Sequence, residues 1–274
     1  MSSSPGSAPT RMTVPAFRAR KGAGPALVVL TAYDVATASA AEEGGVDCIL
    51  VGDSLGNVVL GYESTLPVTM EDMLHHARAV GRARRNALLV VDMPWLSFHL
   101  GVEDTVRNAA RFVREAGADA VKLEGGSRRV AAIEALRGAE IPVMGHLGLT
   151  PQSVLSMGGY RVQGRDEATA DALRREAEAL AAAGVFSIVL EGIPAPLAAR
   201  ITEAVEVPTI GIGAGAGCDG QVLVIHDLLG MLPGPVPRFV RRYARIHEAQ
   251  VDGIRRWAAD VRSGSFPATG ESYG

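Results

Sequence analysis

The chain has 274 residues, enough for one large α/β barrel or for two smaller domains. Hydrophobic residues make up 47% of it and charged residues 21%, which is the balance of a globular protein with a sizeable core. A formal net charge of -3 offers no broad basic surface, so no nucleic acid partner is expected. The sequence has no apolar run close to the roughly 20 residues that span a bilayer, so no membrane association is expected. Its two cysteines, Cys48 and Cys218, are far apart and suit a reducing cytoplasm.

The two ends of the chain differ in composition from its middle. The first residues are rich in Ser, Pro, Gly and Ala and lack the apolar core of a signal peptide. We therefore expect a disordered tail at residues 1–12, a single catalytic domain at residues 13–267 and a short C-terminal tail at residues 268–274. The Arg- and Ala-rich stretch from Pro237 to Ser263 predicts a C-terminal helical region.

Short apolar runs rich in β-forming residues recur along the whole chain. Each run is nearly continuous and does not alternate with polar residues, as expected for parallel strands buried on both faces. Eight such runs joined by helical connections predict a (β/α)8 TIM barrel, and a doubly wound open sheet is the competing architecture. The runs are Ala26–Tyr33, Cys48–Gly52, Leu88–Pro94, Ala120–Gly125, Pro142–Gly148, Ser187–Gly192, Pro208–Gly215 and Gln221–Ile225.

Several of the intervening stretches carry helix start and stop signals. Thr69 with Asp72 matches a capping box that opens a helix. A second amphipathic helix is expected to end at Gly117 and to place five residues on its inward face, namely Val106, Ala109, Ala110, Val113 and Ala116. A third helix is expected over Asp166–Ala183, directly before a glycine.

Polar residues fall at the ends of five predicted strands. Asp53, Asp92, Glu124 and Glu191 each follow a strongly apolar run, and His146 ends a fifth run. In a barrel, the carboxyl ends of all strands converge on the face where active sites lie. Buried carboxylates repel each other, and a divalent cation is the simplest compensation, with oxygen ligands favouring magnesium over zinc. The alternative is that the acids are unrelated loop caps.

Lys122 lies two residues before Glu124, so both side chains share the strand face that points into the predicted barrel. A buried lysine needs an anionic partner, and the carboxylate of a substrate near the metal would serve. The structural alternative is an internal ion pair between Lys122 and Glu124.

A glycine-rich run at Gly211–Gly220 contains a literal G-x-G-x-x-G pattern at Gly215, Gly217 and Gly220. The segment after it is strand-like instead of helical, and the acid expected roughly 20 residues further on is missing. A dinucleotide site is therefore not expected. The glycines instead predict a close backbone approach at the mouth of the barrel.

Longer motifs, in order and with suitable spacing from about Thr13 to Pro267, resemble the ketopantoate hydroxymethyltransferase family. This family consists of magnesium-dependent barrels of the phosphoenolpyruvate mutase/isocitrate lyase superfamily. The motifs are Thr31–Asp34, Val51–Gly56, Ser64–Thr69, Lys122–Gly126, Gly145–Ser153, Gly158–Arg165 and Asp219–Asp227.

The resemblance implies a reaction and its partners. The enzyme would transfer a hydroxymethyl group from 5,10-methylenetetrahydrofolate to 3-methyl-2-oxobutanoate through a metal-stabilised enolate. The product would be 2-dehydropantoate, on the pathway to pantothenate. Its partners would be the small 2-oxo acid, the folate and Mg²⁺, and the family forms homo-oligomers, often decamers.

The resemblance also implies roles for individual residues. Asp53 and Asp92 would hold the metal and contact the substrate, with Glu124 binding the metal directly or through water. Ser54 and Lys122 would contact the substrate carboxylate.

Glu191 matches the general base of the family, and His146 would lie in the active site without an assigned role. The nearest rival function is a magnesium-dependent 2-oxo acid lyase of the same superfamily. Isocitrate lyase-like enzymes carry a Lys-Lys-Cys-Gly-His-type loop, whereas this sequence has no cysteine between Cys48 and Cys218. An inert barrel is a further alternative, although an inert relative would be expected to have lost the ligand residues.

Overall fold

The main feature of the structure, a computed structural model that describes residues 11–273, is a closed barrel of eight parallel strands. Each strand pairs with the next in sequence, and β8 pairs with β1. The predicted TIM barrel is therefore confirmed, and the open-sheet alternative is excluded. The strands are β1 (Leu27–Thr31), β2 (Cys48–Val51), β3 (Leu88–Asp92), β4 (Ala120–Glu124), β5 (Val143–Gly148), β6 (Ser187–Glu191), β7 (Thr209–Ile212) and β8 (Gly220–Leu223).

Helices surround the barrel and connect most of its strands. Short 3-10 helices at Ser127–Arg129 and Pro151–Ser153 precede α6 and α7. The helices are α1 (Val14–Arg18), α2 (Val35–Glu43), α3 (Leu55–Val58), α4 (Met70–Ala83), α5 (Val102–Ala116), α6 (Val130–Gly138), α7 (Val154–Met157), α8 (Glu167–Ala183) and α9 (Ala195–Ala204).

The connection between β7 and β8 differs from the prediction of helical connections, because residues 213–219 contain no helix within the described chain. The chain returns through this glycine-rich segment packed against α9. A Cβ atom on Gly217 would lie 2.9 Å from the Cβ of Ala199, and one on Gly215 would collide with Ala195. The close backbone approach predicted for these glycines is therefore an approach to α9. A side chain at Gly215 or Gly217 would block this approach.

The predicted helix signals are confirmed where they concern the helix ends. Thr69 and Asp72 form a reciprocal capping box at the start of α4. Helix α5 ends at Gly117 in the left-handed conformation, and α8 begins after an N-cap at Asp166. In each case the cap satisfies backbone groups that the helix itself leaves without a partner.

The inward face of α5 was predicted wrongly at Val113, which is 37% exposed. Ala109 and Ala116 are buried as predicted, and the buried face also contains Thr105 and Phe112. Phe112 is one position before Val113, a rotation of about 100° around the helix axis. The large ring faces the barrel wall because it removes more apolar surface from water than valine does.

The N-terminal end of the barrel is closed by α1, a helix that the sequence reasoning did not predict. Thr13 caps its first turn by accepting a hydrogen bond from the backbone N–H of Ala16. Phe17 is fully buried and packs edge-to-face on Phe186, with ring centroids 5.7 Å apart. Phe17 thereby joins the apolar core inside the barrel, which contains Leu27, Val29, Cys48, Leu50, Leu88, Val90, Ala120, Met144, Phe186, Val189, Ile210 and Val222.

The described residues divide into two compact units at Val224. The second unit contains α10 (Ile225–Leu229) and α11 (Ile246–Ser263), so the predicted C-terminal helical region is present. A short 3-10 helix at Thr269–Glu271 follows. Most of the predicted tail at residues 1–12 lies outside the described residues, and the predicted domain bounds at 13 and 267 stay predictions. Within the described part of the chain, no helix has the length and apolarity needed to cross a membrane.

Three aspartates at the N-terminal end of the barrel stabilise strand pairing. Each precedes a strand directly, and its carboxylate accepts a backbone N–H from the neighbouring strand. These edge N–H groups have no further strand residue to pair with, so the carboxylates supply their acceptors. The bonds run from Val28 to Asp47 (2.8 Å), from Leu89 to Asp119 (2.9 Å) and from Thr209 to Asp219 (2.9 Å).

Asp219 gives a testable prediction of stability. Its side chain, 7% exposed, also accepts from Gly22 N–H at 2.9 Å and pairs with the Lys21 ammonium at 3.0 Å. Burial raises the pKa of Asp219, but the donors from Thr209, Gly22 and Lys21 lower it further than burial raises it. Asp219→Asn should lower the free energy of unfolding by about 1–3 kcal/mol at neutral pH. The NH₂ group of the asparagine would face N–H donors, which then lose an acceptor.

The control for Asp219→Asn is Asp171→Asn, which removes the same charge from α8, where the aspartate side chain is 46% exposed. Its effect should stay within about 0.5 kcal/mol. Because the folded-state pKa of Asp219 is lowered, its contribution is complete above the ordinary aspartate range and is lost as the pH falls through the folded value. Denaturation curves of wild type and Asp219→Asn should therefore converge in acid. A constant difference down to acidic pH would contradict this account.

Candidate active site

The inward-facing side chains change from apolar to polar toward the carboxyl end of the barrel. In β3, Leu88 and Val90 belong to the apolar core, and the next inward residue is Asp92. The same alternation governs the neighbouring strands, because successive side chains point to opposite faces. The inward residues that follow the apolar layers are Lys122 and Glu124 on β4, His146 on β5 and Glu191 on β6, and Asp53 follows the end of β2.

Almost all of this polar group is buried. Asp53, Asp92, Lys122, Glu124 and His146 are each 3–4% exposed. The side chain of Glu191 is 19% exposed and is therefore the most accessible carboxylate of the group. The structure thus brings together all the acids that the sequence places at strand ends, together with Lys122 and His146.

Lys122 pairs with Asp92, and strand register explains this choice of partner. The two residues lie directly opposite each other on β3 and β4, and Lys122 Nζ lies 3.0 Å from Asp92 Oδ1. The other oxygen of Asp92 accepts the backbone N–H of Asp53 at 3.1 Å. Burial lowers the pKa of Lys122, but Asp92, Glu124 and Asp53 raise it by more, so the lysine is charged. The direct ion-pair partner of Lys122 is therefore Asp92, and not Glu124 as in the structural alternative given above.

His146 lies between two carboxylates. It is opposite Glu124 in the β4–β5 register, with Nδ1 3.5 Å from Glu124 Oε1, and its Nε2 lies 3.3 Å from Glu191 Oε2. Lys122 Nζ is 3.2 Å from His146 Nδ1. Burial and the Lys122 charge lower the pKa of His146, but Glu124 and Glu191 overcome both and raise it to about 9. His146 therefore links Glu191 electrostatically to the rest of the site.

Gln152, in the loop after β5, contacts two of the acids and was not assigned a role from the sequence. Its backbone N–H donates to Glu124 Oε2 at 3.0 Å, and its Nε2 donates to Asp53 Oδ2 at 2.8 Å. The signal available in the sequence was its position in the motif Gly145–Ser153, six residues after His146. Spacing alone does not show that this loop folds back over the barrel mouth.

Ser54 follows Asp53 directly and is partly buried beside β1. Its Oγ lies 2.8 Å from the hydroxyl oxygen of Tyr33, a second residue to which the sequence reasoning gave no role. Tyr33 is 1% exposed, and its backbone oxygen lies 2.6 Å from His76 Nδ1. Burial raises the pKa of Tyr33, so its hydroxyl stays neutral and can hold the Ser54 side chain in place.

The buried group contains more acidic than basic side chains. Three fully buried carboxylates face one lysine and one histidine. Burial, and then Glu124 and Asp92, raise the pKa of Asp53 well above its usual range, and burial raises that of Asp92 despite Lys122. Glu124 is the exception, because His146 and Lys122 outweigh its burial and lower its pKa.

The charge shortage and the all-oxygen donor set fit a hard divalent cation such as Mg²⁺. Among the described residues, however, no three His, Cys, Asp or Glu side chains already gather into a metal-binding group. The carboxylates are engaged separately, Asp92 by Lys122 and both Asp53 and Glu124 by Gln152. Asp53 and Glu124 each keep a second oxygen outside the Gln152 contacts, and carboxylate oxygens are the donor type that Mg²⁺ prefers.

Comparison with known proteins settles the family. The sequence model of ketopantoate hydroxymethyltransferase matches residues 11–269. The chain belongs to the ketopantoate hydroxymethyltransferase family. The 3-methyl-2-oxobutanoate hydroxymethyltransferase of a Methylobacterium species is 57% identical over 95% of this chain and 90% of the relative. That of Syntrophomonas wolfei is 54% identical over 94% of both chains. As a member of the family, the chain is an enzyme of the hydroxymethyltransferase class, as its motifs predict.

Solved structures share the fold of this family member at much lower identity. A phosphonopyruvate hydrolase in complex with oxalate and Mg²⁺ has a TM-score of 0.60 and 16% identity, covering 95% of this chain and 93% of that chain. A 2,3-dimethylmalate lyase, a member of the phosphoenolpyruvate mutase/isocitrate lyase superfamily, has a TM-score of 0.57 and 17% identity, covering 89% and 85%. Identities this low show the common barrel architecture alone.

Proposed function

We propose that the chain transfers a hydroxymethyl group from 5,10-methylenetetrahydrofolate to 3-methyl-2-oxobutanoate, giving 2-dehydropantoate. One water is consumed, because the folate donates a methylene group and the product carries CH₂OH. The observation that carries the proposal is the buried group of Asp53, Asp92, Lys122 and Glu124 beside the more accessible Glu191. Relatives named 3-methyl-2-oxobutanoate hydroxymethyltransferase, at 51–57% identity over nearly their whole length, support the oxo acid and the hydroxymethyl transfer.

Asp53, Asp92 and Glu124 would hold Mg²⁺ in this proposal. Their support is their burial next to one another: burial, and then Glu124 and Asp92, raise the pKa of Asp53, and burial raises that of Asp92 despite Lys122. Oxygen donors from carboxylates are the protein ligands that magnesium prefers. When bound, the cation would supply positive charge next to the oxo-acid oxygen atoms on which negative charge develops.

Lys122 and Ser54 would bind the carboxylate of the oxo acid. The Lys122 ammonium has three donor hydrogens and lies 3.0 Å from Asp92 Oδ1 and 3.2 Å from His146 Nδ1, so a donor remains for a second anion. Ser54, held by the Tyr33 hydroxyl, offers a further donor close to Asp53. A lysine kept charged by Asp92 is well suited to an anionic substrate, because both interactions favour the protonated amine.

Glu191 would act as the general base that removes the proton from the β-carbon of the oxo acid. Of the carboxylates in the site it is the most exposed, so a substrate in the barrel mouth can reach it. The contact between His146 Nε2 and Glu191 Oε2 orients the carboxylate. The carbon that loses its proton then forms a bond to the methylene carbon carried by the folate, both carbon–nitrogen bonds of that methylene break, and water supplies the hydroxyl group. The two folate nitrogens take up the proton held by Glu191 and the second hydrogen of the water.

The cellular location and the assembly state are proposed from the family resemblance. We propose that the enzyme works in the cytoplasm on small molecules and assembles into a homo-oligomer, a decamer by resemblance to the family. A 2-oxo acid lyase of the same superfamily is the alternative function. The high identity to hydroxymethyltransferases, against 15–18% for the solved lyases and mutases, favours the transferase.

The transfer can be tested with the purified chain, Mg²⁺, 3-methyl-2-oxobutanoate and 5,10-methylenetetrahydrofolate. We expect 2-dehydropantoate by mass spectrometry, its loss after exhaustive chelation and its recovery when Mg²⁺ is returned. Turnover that survives chelation would contradict the metal assignment. Cleavage of a 2-oxo acid adduct without any folate-dependent product would favour the lyase.

The role of Glu191 can be tested by deuterium exchange at the β-carbon of 3-methyl-2-oxobutanoate in heavy water without folate. Glu191→Gln keeps the size of the side chain but cannot accept a proton, so the exchange rate should fall ~10²–10⁴-fold. Glu203→Gln, an exposed change on α9, is the matched control and should exchange like wild type. Exchange at the wild-type rate in Glu191→Gln would show that another group is the base, with His146 the next candidate.

A further inference from the structure

Gln152 makes three hydrogen bonds to groups from three different strand ends. Its backbone N–H donates to Glu124 Oε2 at 3.0 Å, and its side-chain Nε2 donates to Asp53 Oδ2 at 2.8 Å and to the Met93 carbonyl oxygen at 2.9 Å. The residue is 7% exposed and lies in the short 3-10 helix Pro151–Ser153. It therefore closes over the end of the barrel between β2, β3 and β4.

The orientation of the Gln152 amide is determined by its neighbours. The Met93 carbonyl and the Asp53 carboxylate are both acceptors, so the NH₂ group must face them and uses both of its hydrogens. The reversed amide would bring Oε1 against two oxygens. In the orientation observed, Oε1 is buried without a hydrogen-bond donor among the described residues.

A buried carbonyl without a donor costs free energy, so packing alone is a poor reason for an amide at this position. A methionine would fill similar space without that cost. What the amide adds is a fixed donor for Asp53, while the backbone of the same residue holds Glu124. Both carboxylates belong to the group assigned above to the cation.

We propose that Gln152 is a positioning residue that aligns the carboxylates of Asp53 and Glu124 for binding the divalent cation. It engages one oxygen of each carboxylate and leaves each a second oxygen for other partners. Its contact with the Met93 carbonyl anchors the amide to the end of β3, next to Asp92. The inference rests on the proposed metal site, and the experiment below separates the two.

The direct readout is binding of Mn²⁺, followed by the loss of the free-ion signal in electron paramagnetic resonance without substrate. Gln152→Met keeps the length of the side chain and removes the donor to Asp53, whereas the backbone bond to Glu124 remains. Loss of a residue that orients metal ligands typically weakens metal binding about 10–100-fold, and we expect a loss in this range.

The matched control is Gln221→Met, which removes an exposed amide whose Nε2 donates to the Gly215 carbonyl at 2.9 Å. It should bind Mn²⁺ like wild type. Gln152→Asn is the second variant, since its amide is one methylene shorter and cannot reach both acceptors. It should show a loss in the same direction, and it decides the matter if circular dichroism shows that Gln152→Met is unfolded.

The outcomes separate the two claims. If wild type binds Mn²⁺ and folded Gln152→Met or Gln152→Asn binds it equally tightly, the positioning role is wrong and the metal site stands. If wild type does not bind Mn²⁺ at all, the metal assignment of Asp53, Asp92 and Glu124 is wrong, and the role of Gln152 is overturned with it. Weaker binding in both variants with an unchanged control supports the inference.

Discussion

The site depends on one electrostatic constraint, the burial of three carboxylates at the end of the barrel, where the described residues place one lysine and one histidine beside them. Removing a carboxylate from water without a partner costs several kcal/mol, and neighbouring carboxylates add repulsion. Lys122 is kept charged by this environment, and His146 holds its proton more tightly than a free histidine does. Burial, and then Glu124 and Asp92, raise the pKa of Asp53, and this under-compensated charge is the basis of the proposed cation site.

The two ends of the barrel use acidic residues for different purposes. At the N-terminal end, Asp47, Asp119 and Asp219 accept backbone N–H groups and so complete the pairing of the strands. At the carboxyl end, Asp53 and Asp92 lie among other charged side chains and remain under-compensated. Acids at the first end complete the strand pairing, and acids at the second end form the proposed active site, as is usual for this architecture.

Much of this arrangement could be predicted from the sequence. Continuous apolar runs mark buried parallel strands, and capping residues such as Thr69 and Gly117 mark helix ends, because both signals are local. The acids at strand ends could be assigned to one face because all strands of a parallel barrel point the same way. The roles of Asp53, Asp92 and Glu191 came from family motifs, and they stay proposals.

The features that could not be predicted depend on contacts between distant parts of the chain. Strand register decides that Lys122 meets Asp92 and not Glu124, and no spacing within one strand contains that information. The loop that carries Gln152 is placed by tertiary packing, as is Phe17 at the opposite end of the barrel. The error at Val113 has a similar cause, because a shift of one residue changes which side chain of an amphipathic helix faces the barrel.

The central claim is that a divalent cation compensates the buried carboxylates at the mouth of the barrel. The most direct test is a crystal structure of the protein soaked in Mn²⁺, with the ion located by its anomalous scattering. The account predicts an anomalous peak at the carboxyl end of the strands within bonding distance of the carboxylates of Asp53 and Asp92, with Glu124 adjacent. A peak elsewhere on the protein, or none at this position at saturating Mn²⁺, would contradict it.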